Sequence, residues 1–537
     1  IIKEKISMKK VVLILSIIFI FLACDNSQNG KAENSLILNL GGEPDSIDPQ
    51  LTTGISGGTV DDLIMEGLLR KNKEGESVAG IAKTWSVSPD GLKWTFNLRD
   101  AKWSNGDPIT ANDFRAGWIR ALDPKTAAEN AGVLFMIKNG EEFNSGKVKE
   151  EEVGIKVIDE KTLEVELDTP TAYFDDLVTF KAYMPLNEKF YKEQGDKYFT
   201  KPEYTLSSGP YLLKSWKHDS ELIFEKNPTY WDASNVKVEN ITLKLITDSK
   251  AALSSFKNGE LDVVGLTVEQ LAKFKNDSKL VKAPDGGMWY LLFNTNIPSL
   301  KNTKIRKALV MGLNRDELVN SVLDGGEIYR DTFVPEGIGM KGISKDFYEE
   351  VPTKQPSFNP EEAKKLLAEG LKESRLTKLP TFEIIFGDSG NTKVIAEYIQ
   401  ESLRKNLGVE VILRGITGKE RIQKTKQRDY EIAINNWTGD FRDPITYLDL
   451  FESSNASNRG DFKNSRYDEL VKIVKNTADP AIRVPAMIEM EKIISEETPV
   501  GILFQRQKKY LLSPKVKGLG FVSIGGEFNF KDLVIEK

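Results

Sequence analysis

Apolar positions along this chain change period several times, and each change marks an element. SLILNL, Ser35 to Leu40, alternates apolar with polar residues as a half-buried strand does. The loop GGEPDSIDP follows, set by Gly41, Gly42, Pro44 and Pro49. In TVDDLIMEGLLRK, Val60, Leu63, Ile64 and Leu68 recur at helical spacing, which predicts a helix behind a Thr59 cap. Alternation returns in GLKWTFNL, where Leu92, Trp94, Phe96 and Leu98 share one face between DG and NG turns, the pattern of a hairpin strand. A helix is predicted to start at Thr110 or Asn112 and stop at Pro124, and a second hairpin to turn at Asp159 and Glu160.

Farther along, YLLKSWKHDSELIFEK and VENITLKLIT read as strands before a helix near Ser249. GGMWYLLFNTN is an apolar strand, IRKALVMGLNRDELVNSVL predicts one long amphipathic helix, and Asn359 caps a helix with Pro360 at its first position. The series TFEIIFG, VIAEYIQESLRKNL, VEVILRGI is strand, helix, strand, which implies a crossover in a parallel sheet. Hairpins early and crossovers late predict an α/β chain with mixed sheets.

One run fits no element of a folded lobe: VVLILSIIFIFLA, Val11 to Ala23, behind Lys3, Lys5, Lys9 and Lys10. It is too short to span a bilayer comfortably, so residues 1–23 read as a secretory signal. The run ends in FLAC, with the chain's single cysteine, Cys24. FLAC resembles the bacterial lipobox, which implies cleavage before Cys24, lipidation of its thiol and amine, and a membrane anchor of acyl chains. Residues 24–34 are polar and turn-rich and read as a tether.

A chain of 537 residues exceeds what one hydrophobic core serves, so two or more lobes are expected. The charge balance, 74 Lys and Arg against 80 Asp and Glu, gives no case for nucleic-acid binding. With one histidine, His218, and a lipidated cysteine, no metal site is expected, and without a phosphate loop no cofactor is expected either. GISGG, Gly54 to Gly58, matches the G-x-S-x-G of esterases, but a nucleophile elbow needs a strand before it and a histidine base. His218 stands in a hairpin turn, so no enzyme is expected.

Several segments together resemble the extracellular peptide-binding lipoproteins of ABC importers, the oligopeptide- and dipeptide-binding family. They are GGEPDSIDP, GLLRKNKEGESVAGIAKTW, WTFNLRDAKWSNGDPITANDF, SSGPYLLKSW, NPTYWD, IRKALVMGLNRDELV and NNWTGDFRDP, in the family's order. The resemblance implies a two-lobed periplasmic-binding-protein-like fold with an extra small domain and a hinge of two crossings. Lobe I would comprise 35–65, 186–286 and 507–537, the small domain 66–185, and lobe II 287–506. Gly286 and Gly287 fall where a hinge is needed.

The implied function is to bind extended oligopeptides between the lobes and hand them to a permease with separate ATPase subunits, as an exported, anchored monomer facing the periplasm or cell exterior. Gly54, Ile55 and Ser56 would offer one lobe's backbone to the peptide, and Asn436, Trp437 and Thr438 the other's. Asp440 would bind the peptide's ammonium. Arg442 and Asp443 read as scaffold. Where the family carries a cysteine pair this chain has Gly287 and Thr438, and where it offers a histidine and arginines to the peptide's C-terminus it has Thr392, Thr425 and Ile434. Lys424 and Lys426 are the candidate replacements, and Arg506 is either an anion partner or a structural salt bridge. Alternatives are the same fold with another solute, such as a nickel chelate, haem, glutathione or sugar oligomer, or a surface lipoprotein acting as peptide sensor or adhesin.

Overall fold

The computed structural model describes residues 34–536 apart from 341, 342, 344, 345, 389 and 525; the signal segment and Cys24 lie outside the described residues. Strand β1 (Ser35–Asn39) buries Leu36 and Leu38 and leads through the proline-rich loop to helix α1 (Ile55–Ile64). This helix starts at Ile55 with Gly54 as its cap, not behind Thr59, because Asp45 accepts hydrogen bonds from the N–H groups of Thr53 and Gly54 and fixes the turn there. Gly57 lies so close to the preceding loop that a Cβ would sit 2.3 Å from the Ser46 carbonyl oxygen. Only glycine allows that approach.

A four-stranded antiparallel sheet comes next, formed by β2 (Ala82–Val87), β3 (Lys93–Leu98), β4 (Ile155–Asp159) and β5 (Thr162–Glu166) in the order β2-β3-β5-β4. Trp94, Phe96 and Leu98 point inward from β3, as their alternation predicts. Helix α2 (Ala111–Leu122) follows β3 in the chain and opens with a capping box in which the Asp113 carboxylate accepts from the Thr110 N–H at 2.7 Å.

The other strands of the main sheet are β6 (Tyr211–Lys217), β7 (Glu221–Lys226), β8 (Asn240–Lys244), β9 (Val263–Gly265), β10 (Leu280–Phe293), β11 (Phe382–Gly387), β12 (Val411–Ile416), β13 (Ile432–Thr438) and β14 (Val500–Leu512). With β1 they make one ten-stranded sheet ordered β12-β11-β13-β10-β14-β9-β1-β8-β7-β6. β1 runs parallel to β8 and β11 parallel to β12, whereas β10 is antiparallel to β13 and β14, so the sheet is mixed.

β10 and β14 are the long strands, 14 and 13 residues, and they carry the sheet from one lobe to the other. Their ladder is in three pieces, Leu280↔Leu511 to Pro284↔Gln507, Met288↔Gln505 to Trp289↔Phe504, and Tyr290↔Ile502 to Leu292↔Val500. Between the first two pieces Asp285, Gly286 and Gly287 stand opposite Arg506 alone, which makes a bulge. Buried side chains divide at the same place. One cluster collects residues from Leu36 to Val263 and from Val516 to Leu533 and includes the small sheet. Two others take opposite faces of the far half of β10, with Met288, Tyr290 and Leu292 on one and Leu291 and Phe293 on the other. The fold is therefore two-lobed, with two strands crossing between the lobes.

The long helix expected from Ile305 is interrupted. Helix α3 (Thr303–Met311) stops at Gly312, and Asn314 begins a new turn by accepting from the Glu317 N–H at 3.1 Å. Gly312 packs on Leu407, where a Cβ would meet the leucine at 2.8 Å.

Candidate binding cleft

β13 enters the core with Ile432, Ala433 and Ile434 buried and leaves it at Asn436. One edge is paired with β10 along its whole length, from Ile432↔Phe293 to Thr438↔Gly287. On the other edge β11 pairs only with Ile432 and Ala433. Beyond them that edge borders a chamber lined by Asn435, Asn436, Trp437, Thr438 and Asp440, and by Arg421 and Arg459. A strand edge facing a cavity is the geometry that receives an added extended chain.

The turn after β13 is held on every side. The Trp437 indole N–H donates to the Thr446 carbonyl at 2.9 Å, the Gly439 N–H to the Tyr447 hydroxyl at 3.1 Å, and the Asp440 N–H to the Thr446 hydroxyl at 3.0 Å. A Cβ at Gly439 would come within 2.8 Å of both Thr446 and Tyr447, so glycine is required for the close approach. Below, Asp443 receives both arms of Arg483 at 2.8 Å, and both residues are buried. Asp443 is thus more than a turn residue; it anchors the loop through a desolvated, two-armed ion pair. The Arg442 N–H donates to Asp176 at 2.7 Å and Phe441 stacks on Tyr173 at 4.1 Å, which ties the loop to the segment around Tyr173.

Asp440 itself has no cation within ion-pair distance among the described residues. Its side chain reaches water because cavities lie on both sides, yet the surrounding walls are protein. Burial first, and the charge of Asp449 second, push its pKa up to about 6. On the far side of Asp440 lies a second chamber, between α1, residues 176–184 and the C-terminal segment, and Asp61, Asp62 and Lys181 border it.

The other predicted residues fall in three places. Gly54, Ile55 and Ser56 form a helix N-terminus rather than a strand edge, and the Gly54 N–H is taken by Asp45. Lys424 and Lys426 lie on helix α4 (Gly418–Gln427) but outside the chamber: Lys424 pairs with Asp429, and Lys426 is exposed. Helical geometry explains the place of Lys426, since Arg421, which does line the chamber, is five residues away and points to a different side. Arg506 is a structural partner at the bulge, bonding both oxygens of Asp285 at 2.9 and 3.0 Å. In place of these cations the chamber holds Arg421, which donates to Asn435 and, at 3.3 Å, to Asn436, and Arg459, which donates to the Thr425 hydroxyl at 3.2 Å. Neither arginine has a carboxylate partner among the described residues; burial, with Arg459 nearby, lowers the pKa of Arg421. His218 pairs with Glu43 at 2.7 Å, and neither it nor Ser56 borders either chamber.

Two lobes joined by two strands, with a cleft that offers a strand edge and a lone carboxylate, define a hinged binding protein. The model of the bacterial extracellular solute-binding proteins, family 5, middle region, matches residues 76–459, and the chain belongs to that family. It is 34% identical over 519 residues to the dipeptide-binding protein DppE of Bacillus subtilis (strain 168), covering 94% of this chain and 95% of that one. The substrate-binding domain of an oligopeptide ABC transporter from Bacillus anthracis superposes with a TM-score of 0.76 at 33% identity, covering 94% of this chain and 99% of that one. The murein tripeptide binding protein MppA, in its unliganded open form, superposes with a TM-score of 0.81 at 27% identity, covering 94% and 98%; the related curated MppA is that of Escherichia coli (strain K12).

Proposed function

We propose that this chain is the lipid-anchored peptide-binding subunit of an ABC importer, divided into lobes at the boundaries given above and handing its ligand to a membrane permease. The observation that carries the reading is the free edge of β13 ending at an unpaired Asp440. An extended peptide pairs its amides with Asn436 to Thr438, and its ammonium meets Asp440. Arg421 and Arg459 stand toward the other end of the same edge and receive the terminal carboxylate. From Asn435 to Asp440 is roughly 16 Å of extended chain, which suits a ligand of about three to five residues. Backbone and termini are common to all peptides, so such a site accepts many sequences.

The dipeptide, oligopeptide and tripeptide ligands in the relatives' names support a short peptide, and the match to an open form supports lobes that stand apart before binding. A ligand that satisfies Asp440 from both lobes stabilises the closed arrangement over the open one. FLAC at Cys24 supports the anchor. Calorimetry with a tripeptide, free or acetylated at its N-terminus, tests the reading. The free form is expected to bind more tightly by about 2 kcal/mol or more, roughly 30-fold. Equal affinities would remove Asp440 from the site, and no binding of any short peptide would remove the peptide.

A further inference from the structure

We propose that the chamber on the α1 side of Asp440 is a subsite for a cationic side chain, with Asp61 and Asp62 as its carboxylates, so that lysine or arginine is favoured at the ligand's N-terminal end. The inference rests on the peptide reading above and goes beyond it, because backbone and terminal contacts alone predict no such preference.

Asp61 borders the chamber, is 1% exposed, and neither of its carboxylate oxygens has a hydrogen-bond partner among the described residues. A buried carboxylate without a donor is among the most unfavourable arrangements in a folded protein. Asp62, next in the helix, opens to the same chamber. The protein's own cations around it are committed elsewhere. Arg70 faces Glu66 and Asp232, Lys71 pairs with Asp176, and the Lys181 ammonium donates to the Gly54 carbonyl at 3.4 Å. Lys181 attracts Asp61 through space but forms no ion pair with it. Burial raises the pKa of Asp61 well above the usual carboxylate range and that of Asp62 to about 7. Both acids therefore gain from a cation that arrives with the ligand.

The walls fit the rest of such a side chain. Met65, Phe180 and Met184 line the space with apolar surface, against which the methylene stem of lysine or arginine can lie while its charged head reaches α1. Asp440 borders this chamber and the one along β13, so a peptide whose ammonium sits at Asp440 has its first side chains next to α1.

The test compares lysyl-alanyl-alanine with norleucyl-alanyl-alanine, which differ in the terminal amine and little in shape, by calorimetry on the full folded protein and on Asp61→Asn and Asp62→Asn. The expected result is about tenfold or more preference for the lysyl peptide, falling toward equality in both variants. A wild-type protein that binds both peptides equally well overturns this inference and leaves the peptide reading standing; failure to bind either overturns the peptide reading instead. An unchanged lysine preference in Asp61→Asn, joined to lower thermal stability, assigns Asp61 to Lys181 and overturns the inference too.

Discussion

Asp61 and Asp443 lie almost equally deep, at 1% and 3% exposure, the first beside the α1-side chamber and the second in the loop that follows Asp440. Their surroundings are opposite. Asp443 receives two hydrogen bonds from Arg483 and one from the Ile445 N–H, while Asp61 receives none. The first is a charge already neutralised inside the fold, and it serves by keeping the turn of Asp440 rigid. The second is a carboxyl to which the fold gives no donor among the described residues and which it leaves beside a cavity. Depth alone therefore says nothing about whether a buried acid builds a scaffold or awaits a ligand; the donor inventory around it does.

Substitution separates the pair most sharply. Asp443→Asn leaves Arg483 buried without its partner and is expected to cost about 3–5 kcal/mol in denaturant unfolding. Asp61→Asn should change stability in the other direction above neutral pH. A carboxyl whose pKa is raised in the fold contributes stability at low pH and loses it as pH rises through the folded value, and asparagine has no such loss. Two destabilised variants of similar size would erase the contrast.

A smaller effect comes from pH. Asp440 must be ionised to hold an ammonium, and its pKa stands at about 6 before ligand arrives. Affinity for peptides with free N-termini should therefore be level above that pH and fall below it by up to about tenfold per unit, with release of protons on binding. Acetylated peptides should show no such slope, and a flat profile for both would detach Asp440 from the ligand. The smallest effect expected is at the other end of the cleft. Amidating the peptide's C-terminus should weaken binding by about 1 kcal/mol, roughly fivefold, because Arg421 and Arg459 are partly solvated. The loss should vanish in an Arg421→Gln, Arg459→Gln double variant; its persistence there would move the carboxylate elsewhere.

Much of this architecture could be read from apolar spacing. The hairpins, the parallel crossover and the glycine pair at the bulge all follow from local period and turn chemistry. The start of α1 did not, because Gly57 and Gly58 are poor helix formers and hide the first turn from any propensity argument. The single long helix expected from Ile305 failed at Gly312, where packing on Leu407 outweighs periodicity. In the cleft, the strand leading to Asp440 was legible as a buried run ending in polar residues. Arg421 was not, since the one apolar residue of GKERIQKTKQ, Ile422, is itself exposed and does not mark which face turns inward, and Arg459 lies in a loop with no period to read. Arg483 was equally hidden. Forty residues of chain separate it from Asp443, and only the fold brings them together.

The Tyr447 hydroxyl also joins two places far apart in the chain. It accepts from the Gly439 N–H, one residue before Asp440, and donates to the Gly286 carbonyl at 2.7 Å, inside the bulge between the lobes. A single oxygen atom thus ties the bulge, where two strands pass between the lobes, to the turn that holds Asp440.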